Sequence, residues 1–247
     1  MPKTIIAANW KMSKTIPEAQ NFIAHLKNLK IKDGREAVIC APFTALSSLE
    51  TRSTCLPVGK VASLHLAGQN MHYEKSGAYT GEISAEMLKD AGCNYVLLGH
   101  SERRQLFAET NKIVNKKIKA ALEADLKIIF CVGETLAERE KNQTENVVTT
   151  QISEGLENLN LKTCTLNLII AYEPVWAIGT GKTATPEQAQ EVHAIIRNLV
   201  GPDISILYGG SVKPDNIKAL MAQKDINGAL VGGASLKFED FEKIINF

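Results

Sequence analysis

Three polar residues that can do chemistry each stand close behind an apolar run of the sequence: Lys11, His100 and Glu173. A lysine attracts anions, an imidazole can donate a hydrogen bond to a carbonyl oxygen, and a carboxylate can accept a proton. These group types indicate acid–base chemistry at an anion-binding site. The prediction requires a fold that brings three distant positions of the chain to one place.

The protonation states of the two titratable candidates follow from their expected surroundings. We expect a helical turn directly after His100 to point backbone N–H groups at the ring, which lowers the pKa of the imidazole and keeps it neutral. Partial burial after a long apolar run is expected to raise the pKa of Glu173 and make the carboxylate a stronger base. Structural roles remain open: a solvated lysine at Lys11, a helix cap at His100 and an ion-pair cluster over residues 102–104.

Glycines follow two further apolar runs near the end of the chain. Gly209 and Gly210 precede Ser211, and Gly232 and Gly233 form a second pair. Glycine lets the backbone approach an anion closely, so that its N–H groups can form a cradle for a phosphate. A tight turn explains one such pair equally well, but two pairs in the loops where barrel proteins often bind phosphate favour a phosphate site.

The segment after Glu173 has the composition of a lid. Pro174 begins a short apolar stretch, and Gly179 and Gly181 follow it. Stiff ends and glycine hinges suit a loop that closes over a ligand, although an ordinary long loop with a buried apolar tip has the same composition. The glycines also resemble the tail of a nucleotide-binding P-loop, but Trp176 stands where that motif needs glycine.

Apolar runs and helix-like stretches alternate along the whole chain. The runs are nearly continuous, as in strands buried on both faces. Eight runs are found, over residues 4–10, 36–41, 58–67, 94–98, 127–131, 165–172, 204–208 and 228–231. The predicted helices begin near Pro17 and Thr44 and cover residues 83–90, 111–124, 136–159, 186–199, 214–221 and 238–245.

This alternation predicts a parallel sheet built from βαβ units. Eight units close naturally into a (β/α)8 barrel, eight parallel strands ringed by helices, as a single domain over residues 1–247. An open doubly wound sheet is the alternative. In a barrel the carboxyl ends of all strands lie on one face, so Lys11, His100 and Glu173 would meet there with the glycine pairs.

Composition and charge exclude several other classes of protein. Of the 247 residues 45% are hydrophobic and the net charge is +1, which excludes intrinsic disorder and gives no reason to expect binding to nucleic acid or a membrane surface. No apolar run reaches the roughly 20 residues of a membrane-spanning helix and no signal peptide is recognisable, so we expect a cytoplasmic protein. The five cysteines are widely spaced and the five histidines are scattered, so we expect neither disulfides nor a metal site.

The motifs at the ends of the predicted strands resemble, in order and in spacing, those of the triosephosphate isomerase family. They are residues 9–12 (NWKM), 77–82 (GAYTGE), 99–104 (GHSERR), 171–181 (AYEPVWAIGTG), 208–211 (YGGS) and 231–234 (VGGA). The resemblance covers nearly the whole chain and is specific because the motifs occur in combination. Ala108, where many members have glycine, is a departure outside the predicted site.

The resemblance implies interconversion of dihydroxyacetone phosphate and D-glyceraldehyde 3-phosphate through an enediolate, in glycolysis and gluconeogenesis, without cofactor or metal. It implies that Glu173 is the base and His100 the neutral electrophile, while Lys11 supplies positive charge and Asn9 a polar contact. The further roles that it implies are support of these groups by Glu102 and Ser101, substrate binding by Asn9, Lys11, Gly179, Ser211, Gly232 and Gly233, and insertion of the loop around Thr80 into the second subunit of a homodimer.

Two other functions remain open. A phosphate-binding barrel lyase such as a Schiff-base aldolase needs a desolvated lysine, whereas Lys11 has Glu102 available as a partner. A scaffold or surface role in addition to catalysis is compatible with the same sequence.

Overall fold

The strands of the protein close on themselves. The computed structural model describes residues 3–49, 64–178 and 183–247. In these ranges eight parallel strands pair in chain order, and the first pairs with the last through Ile5 and Gly228. They are β1 (Thr4–Asn9), β2 (Arg35–Ala41), β3 (Leu64–Gly68), β4 (Tyr95–Leu98), β5 (Lys127–Val132), β6 (Leu168–Tyr172), β7 (Ser205–Tyr208) and β8 (Gly228–Val231). The predicted barrel is confirmed, and the β1–β8 pairing rules out an open doubly wound sheet.

Both faces of the barrel wall are buried, which explains the nearly continuous apolar runs. In β2, Val38 and Cys40 belong to the cluster that fills the barrel, whereas Ile39 belongs to the cluster between the strands and the helices. All three side chains are fully buried. Because the interior is packed with side chains, a ligand site has room only at an end of the barrel.

Helices cover the outside of the barrel, and local capping fixes where several of them begin. Thr15 and Glu18 form a capping box at the first helix, and Thr185 and Gln188 form another directly before Pro186. The helices in the described ranges are α1 (Ile16–Lys27), α2 (Phe43–Leu46), α3 (Ala85–Asp90), α4 (Ser101–Leu106), α5 (Asn111–Glu123), α6 (Leu136–Glu140), α7 (Thr144–Gly155), α8 (Leu161–Cys164), α9 (Pro186–Val200), α10 (Ile217–Met221) and α11 (Phe238–Ile245), with short 3-10 helices at Val175–Ala177 and Gly233–Leu236.

Some helix boundaries differ from the prediction. The helix expected over residues 136–159 is two helices, because Asn142 adopts a left-handed conformation (φ 57°) between α6 and α7. The helix expected from Pro214 begins at Ile217, because residues 214–216 form a turn instead of the first helical turn. The short helix α8 was not predicted, since four residues carry too little periodicity to be recognised.

Part of the prediction falls outside the described ranges. Residues 58–63 of the third apolar run lie there, and the strand described begins at Leu64. Cys55 lies there as well, while the other four cysteines are buried free thiols. In the described ranges no helix is long and apolar enough to cross a membrane.

Candidate active site

A cleft of about 810 Å³ opens at the carboxyl end of the barrel. Its lining includes Asn9, Lys11, His100, Glu173, Ser211, Gly232 and Gly233, which come from the ends of β1, β4, β6, β7 and β8. The fold therefore brings together in one place the residues that the sequence predicts at separate strand ends. Gly179, also expected to bind substrate, lies outside the described ranges.

Glu173 and His100 are buried and face each other. Nε2 of the imidazole lies 2.9 Å from Oε1 of the carboxylate, at an angle that leaves Oε1 without a well-formed hydrogen bond among the described residues. The other oxygen, Oε2, accepts a hydrogen bond of 2.9 Å from the backbone N–H of Ser101. One carboxylate thus meets the ring with one oxygen and the start of α4 with the other.

These contacts set the pKa of Glu173. Burial acts to raise this pKa, but the nearby His100 and the Ser101 N–H outweigh burial, and the pKa lies below its usual value of 4.5. The expectation of a raised pKa is wrong for this arrangement. The sequence shows the burial of Glu173 but not the partners that the fold places beside it.

His100 caps the helix that follows it. The Nδ1 atom accepts a hydrogen bond of 3.2 Å from the backbone N–H of Glu102, so Nδ1 carries no proton and the proton of the neutral ring is on Nε2. Burial alone would lower the pKa of His100, but the carboxylates of Glu173 and Glu102 raise it above its usual value. The expected lowering of this pKa is therefore wrong while Glu173 lies against the ring.

Two glycines make this arrangement possible. Gly99, directly before His100, has a φ of 70°. This is a left-handed backbone conformation that residues with a Cβ atom rarely adopt. A Cβ on Gly209 would lie 2.9 Å from Cγ of Glu173. The first glycine turns the chain at the end of β4, and the second leaves room for the carboxylate at the end of β6.

Lys11 is held at the cleft in a constrained conformation. Its Nζ lies 2.5 Å from Oε1 of Glu102, and its φ of 53° is unusual for a residue with a side chain. Asn9 Oδ1 accepts a hydrogen bond of 3.1 Å from the Lys11 backbone N–H, and Gln69 donates one of 2.9 Å to the Lys11 carbonyl. These bonds fix a backbone geometry that aims the ammonium group at Glu102 and the cleft.

The lining of the cleft at the ends of β7 and β8 includes the glycine pairs Gly209–Gly210 and Gly232–Gly233. A Cβ on Gly233 would meet no heavy atom within 4 Å, so open space lies above the start of the 3-10 helix Gly233–Leu236. The first N–H groups of a helical turn have no partner within the turn and suit an anion. Lys14 donates a hydrogen bond of 3.0 Å to the Leu236 carbonyl and ties this helix to the loop after β1.

Glu134 is a functional candidate that the sequence analysis missed. This fully buried carboxylate accepts hydrogen bonds from Tyr172 (3.1 Å), Trp176 (2.9 Å) and Arg139 (3.1 Å). It thereby fixes the 3-10 helix Val175–Ala177, which directly follows Glu173 and Pro174. Glu134 also stands just beyond the end of a strand, β5, so the strand-end rule applied to every strand would have found it.

The site contains no candidate metal centre among the residues described: no three His, Cys, Asp or Glu side chains are grouped to hold an ion. A closed barrel with a buried carboxylate–imidazole pair and a glycine-lined recess at its carboxyl end defines a class, the (β/α)8-barrel enzymes with acid–base chemistry at the strand ends.

Comparison with known proteins places the chain within that class. The family model described as triosephosphate isomerase matches residues 4–247. A triosephosphate isomerase of Geotalea uraniireducens is 53% identical over 100% of this chain and 99% of its own length. One of Alkaliphilus oremlandii is 52% identical over 100% of both chains, and one of Endomicrobium trichonymphae is 49% identical over 100% of this chain and 99% of its own. The chain belongs to the triosephosphate isomerase family.

Proposed function

We propose that this protein interconverts dihydroxyacetone phosphate and D-glyceraldehyde 3-phosphate, with Glu173 as the base and His100 as the electrophile. The observation that carries the residue roles is the buried contact of Glu173 with His100 inside a cleft that has a glycine-lined recess. A reaction that moves one proton between neighbouring carbons and shifts a carbonyl needs a base and a hydrogen-bond donor to the oxygens. The pair supplies both.

In the proposed reaction Glu173 removes a proton from C1 of the ketose and returns it to C2, while the proton of the C1 hydroxyl passes to the C2 oxygen, so that C1 becomes the aldehyde carbon. The electron pair of the broken C–H bond forms the enediolate double bond, and charge develops on the carbonyl oxygen. His100 Nε2–H donates a hydrogen bond to that oxygen, because Nδ1 is occupied by the Glu102 N–H. Lys11, which lines the same cleft, adds positive charge and stabilises the developing negative charge.

The contact between Glu173 and His100 also fits a change in the pKa of His100 when substrate binds. In the free site the Glu173 carboxylate raises the pKa of His100. When the carboxylate moves to the substrate carbon, that effect weakens, while burial and the N–H of Glu102 remain and favour the neutral ring. The substrate would thus meet the neutral imidazole.

The phosphate would bind in the recess formed by Ser211, Gly232 and Gly233. Backbone N–H groups at the start of a helical turn bind a phosphate without competing for the proton that Glu173 transfers. A lid over residues 174–181 would exclude water during the reaction, and Gly179 would add an N–H to the phosphate. Metal-free and cofactor-free catalysis in the cytoplasm is part of the same proposal.

The proposal is tested by a coupled assay of isomerisation in both directions on the wild type and on Glu173→Gln. The amide keeps the size of the side chain but cannot accept the proton, so we expect kcat to fall by at least about 10²-fold with KM nearly unchanged. Glu36→Gln is the control, since Glu36 is a largely buried carboxylate held by Lys3 and Tyr95 at the opposite end of the barrel. A Glu173→Gln enzyme with near-normal turnover would contradict the assignment.

We also propose that the protein acts as a homodimer. Apolar side chains are exposed in the segments that follow four neighbouring strands, β1 to β4: Met12 (99%), Phe43 (38%), Tyr79 (43%) and Phe107 (65%). The loop that carries Thr80 is exposed among them and is closed at its base by the bond from the His72 N–H to the Ile83 carbonyl. Exposed apolar groups gathered on one side of the barrel mouth favour contact with a second copy.

Met12→Asp should shift the protein from dimer to monomer, because a charge at a buried contact is left without a partner. Sedimentation velocity measures the change. Leu166→Asp is a matched control, since Leu166 is also exposed (88%) but lies before β6, at the other end of the barrel. A monomeric wild type, or identical behaviour of the two variants, would show that this surface is no interface.

A further inference from the structure

Arg104 holds the chain on both sides of His100. Its backbone N–H donates a hydrogen bond of 3.1 Å to the carbonyl of His100. Its side-chain Nε donates one of 2.7 Å to the carbonyl of Gly99, the residue directly before. The two peptide groups that flank His100 are therefore both bonded to one arginine.

The same guanidinium reaches the neighbouring strand. Nη2 donates a hydrogen bond of 3.3 Å to the carbonyl of Cys131 in β5. Gly99 has a left-handed φ of 70°, and a Cβ there would lie 3.0 Å from Nη2. The turn that aims the imidazole is thus packed against the guanidinium and tied through it to the barrel wall.

A hydrogen bond to Asn111 holds the guanidinium itself in place. Nη1 donates a hydrogen bond of 2.5 Å to Oδ1 of Asn111, and the Asn111 amide donates one of 3.0 Å to Glu154. No carboxylate of the described ranges lies within ion-pair distance of Arg104. The guanidinium N–H groups donate to two carbonyl oxygens and one amide oxygen. Lysine cannot reproduce this planar, forked arrangement of donors.

We propose that Arg104 is a positioning residue for His100: its guanidinium fixes the Gly99 carbonyl against the Cys131 carbonyl and so sets the direction in which Nε2 of the imidazole points. The proposal rests on the proposed function, because it concerns the orientation of the proposed electrophile. An imidazole displaced by a fraction of an ångström still lies in the cleft and leaves the recess for the phosphate intact. Loss of Arg104 therefore lowers kcat and leaves KM nearly unchanged.

The test compares Arg104→Ala, Arg104→Lys and Arg197→Ala in the isomerisation assay, each with and without added guanidinium ion at a few millimolar. Arg197 is the matched control: its guanidinium donates to the carbonyls of Gly201 and Ile204 and to Asn227, close to the amino end of β7. Circular dichroism and denaturant unfolding report the folded fraction of each variant, and rates are expressed per folded molecule.

For Arg104→Ala we expect kcat to fall by about 10²-fold, the order of loss that a small misplacement of a catalytic group causes, with KM within a few-fold of the wild type. Guanidinium ion fills the vacated site and restores part of the rate. Arg104→Lys keeps an intermediate rate, since an ammonium group can donate to the Gly99 carbonyl but not to both carbonyls in one plane. Arg197→Ala loses stability without loss of kcat and without rescue.

Two results would overturn the proposal: an Arg104→Ala enzyme with wild-type kcat, or equal losses in the Ala variants of Arg104 and Arg197 that guanidinium does not reverse. If Arg104→Ala does not fold, a wild-type kcat in Arg104→Lys overturns it as well. The wild-type rate and Glu173→Gln test the proposed function separately, so the proposal on Arg104 can fail while the isomerase assignment stands.

Discussion

At the scale of single residues, two glycines of the cleft differ in what surrounds them, and that difference separates chemistry from binding. A Cβ on Gly209 would lie 2.9 Å from Cγ of Glu173 and 3.1 Å from the Tyr172 carbonyl. A Cβ on Gly233 would enter empty space at the start of a helical turn. The first substitution displaces the base, whereas the second occupies the recess proposed for the phosphate.

We therefore expect Gly209→Ala to lower kcat by about 10²-fold, because the base moves away from the reacting carbon. Gly233→Ala should raise KM by about tenfold, the equivalent of roughly 1.4 kcal/mol of lost binding, with kcat nearly kept. Steady-state kinetics of the two variants in both directions give the split. The same kinetic effect in both variants would mean that the recess and the base are not separate functions.

At the scale of elements, the buried carboxylate of Glu134 fastens the segment that leaves the active site. The carboxylate accepts a hydrogen bond from Trp176 Nε1, and the backbone carbonyl of Glu134 accepts one of 3.1 Å from the Val175 N–H. The segment just after β5 thereby holds the 3-10 helix Val175–Ala177, which forms the first part of the predicted lid. A segment held in this way can serve as the fixed end of a hinged loop.

Trp176→Phe removes the indole donor and keeps an aromatic ring. We expect faster amide hydrogen exchange over residues 174–178 and a loss of stability of about 1–2 kcal/mol, because the bond runs to a carboxylate. Trp10→Phe is the control for the change of ring, since Trp10 Nε1 has no partner among the described residues. Exchange over residues 174–178 that rises equally in both variants would show that Glu134 does not fasten this segment.

At the scale of the whole molecule, His193 couples the stability of the barrel to pH. It is fully buried in α9, beside the rings of Tyr172 and Tyr208, and its Nδ1 lies 3.3 Å from the Asp225 carbonyl. Burial lowers its pKa from 6.5 to about 4. The native state therefore keeps this ring neutral at a pH where the unfolded chain binds a proton.

Because the folded pKa lies below the unfolded value, the contribution of His193 is complete above pH 6.5 and is lost as the pH falls toward 4. The loss amounts to about 3 kcal/mol, from 1.36 kcal/mol per pKa unit. Urea unfolding of the wild type and of His193→Gln between pH 7 and pH 4 measures it, since glutamine does not titrate. Equal slopes of unfolding free energy against pH in the two proteins would contradict the prediction.

The sequence by itself determined the barrel and the composition of its mouth. Alternation of apolar runs and helical stretches is a local property, and parallel pairing of eight such units leaves all the strand ends on one face. Lys11, His100 and Glu173 could therefore be placed in one cleft without any knowledge of a contact between them. Capping residues such as Thr185 likewise fixed a helix start from neighbouring residues alone.

Only the tertiary structure decided how those residues act on one another. The pKa of Glu173 is lowered because His100 and the Ser101 N–H, about 70 residues away in the chain, lie against its two oxygens. The carboxylate of Glu134 and the guanidinium of Arg104 acquire their importance in the same way, from donors and acceptors on other strands. Residue types and periodicity can be seen in a short stretch of sequence. The distances and orientations between strand ends are set only when the barrel closes.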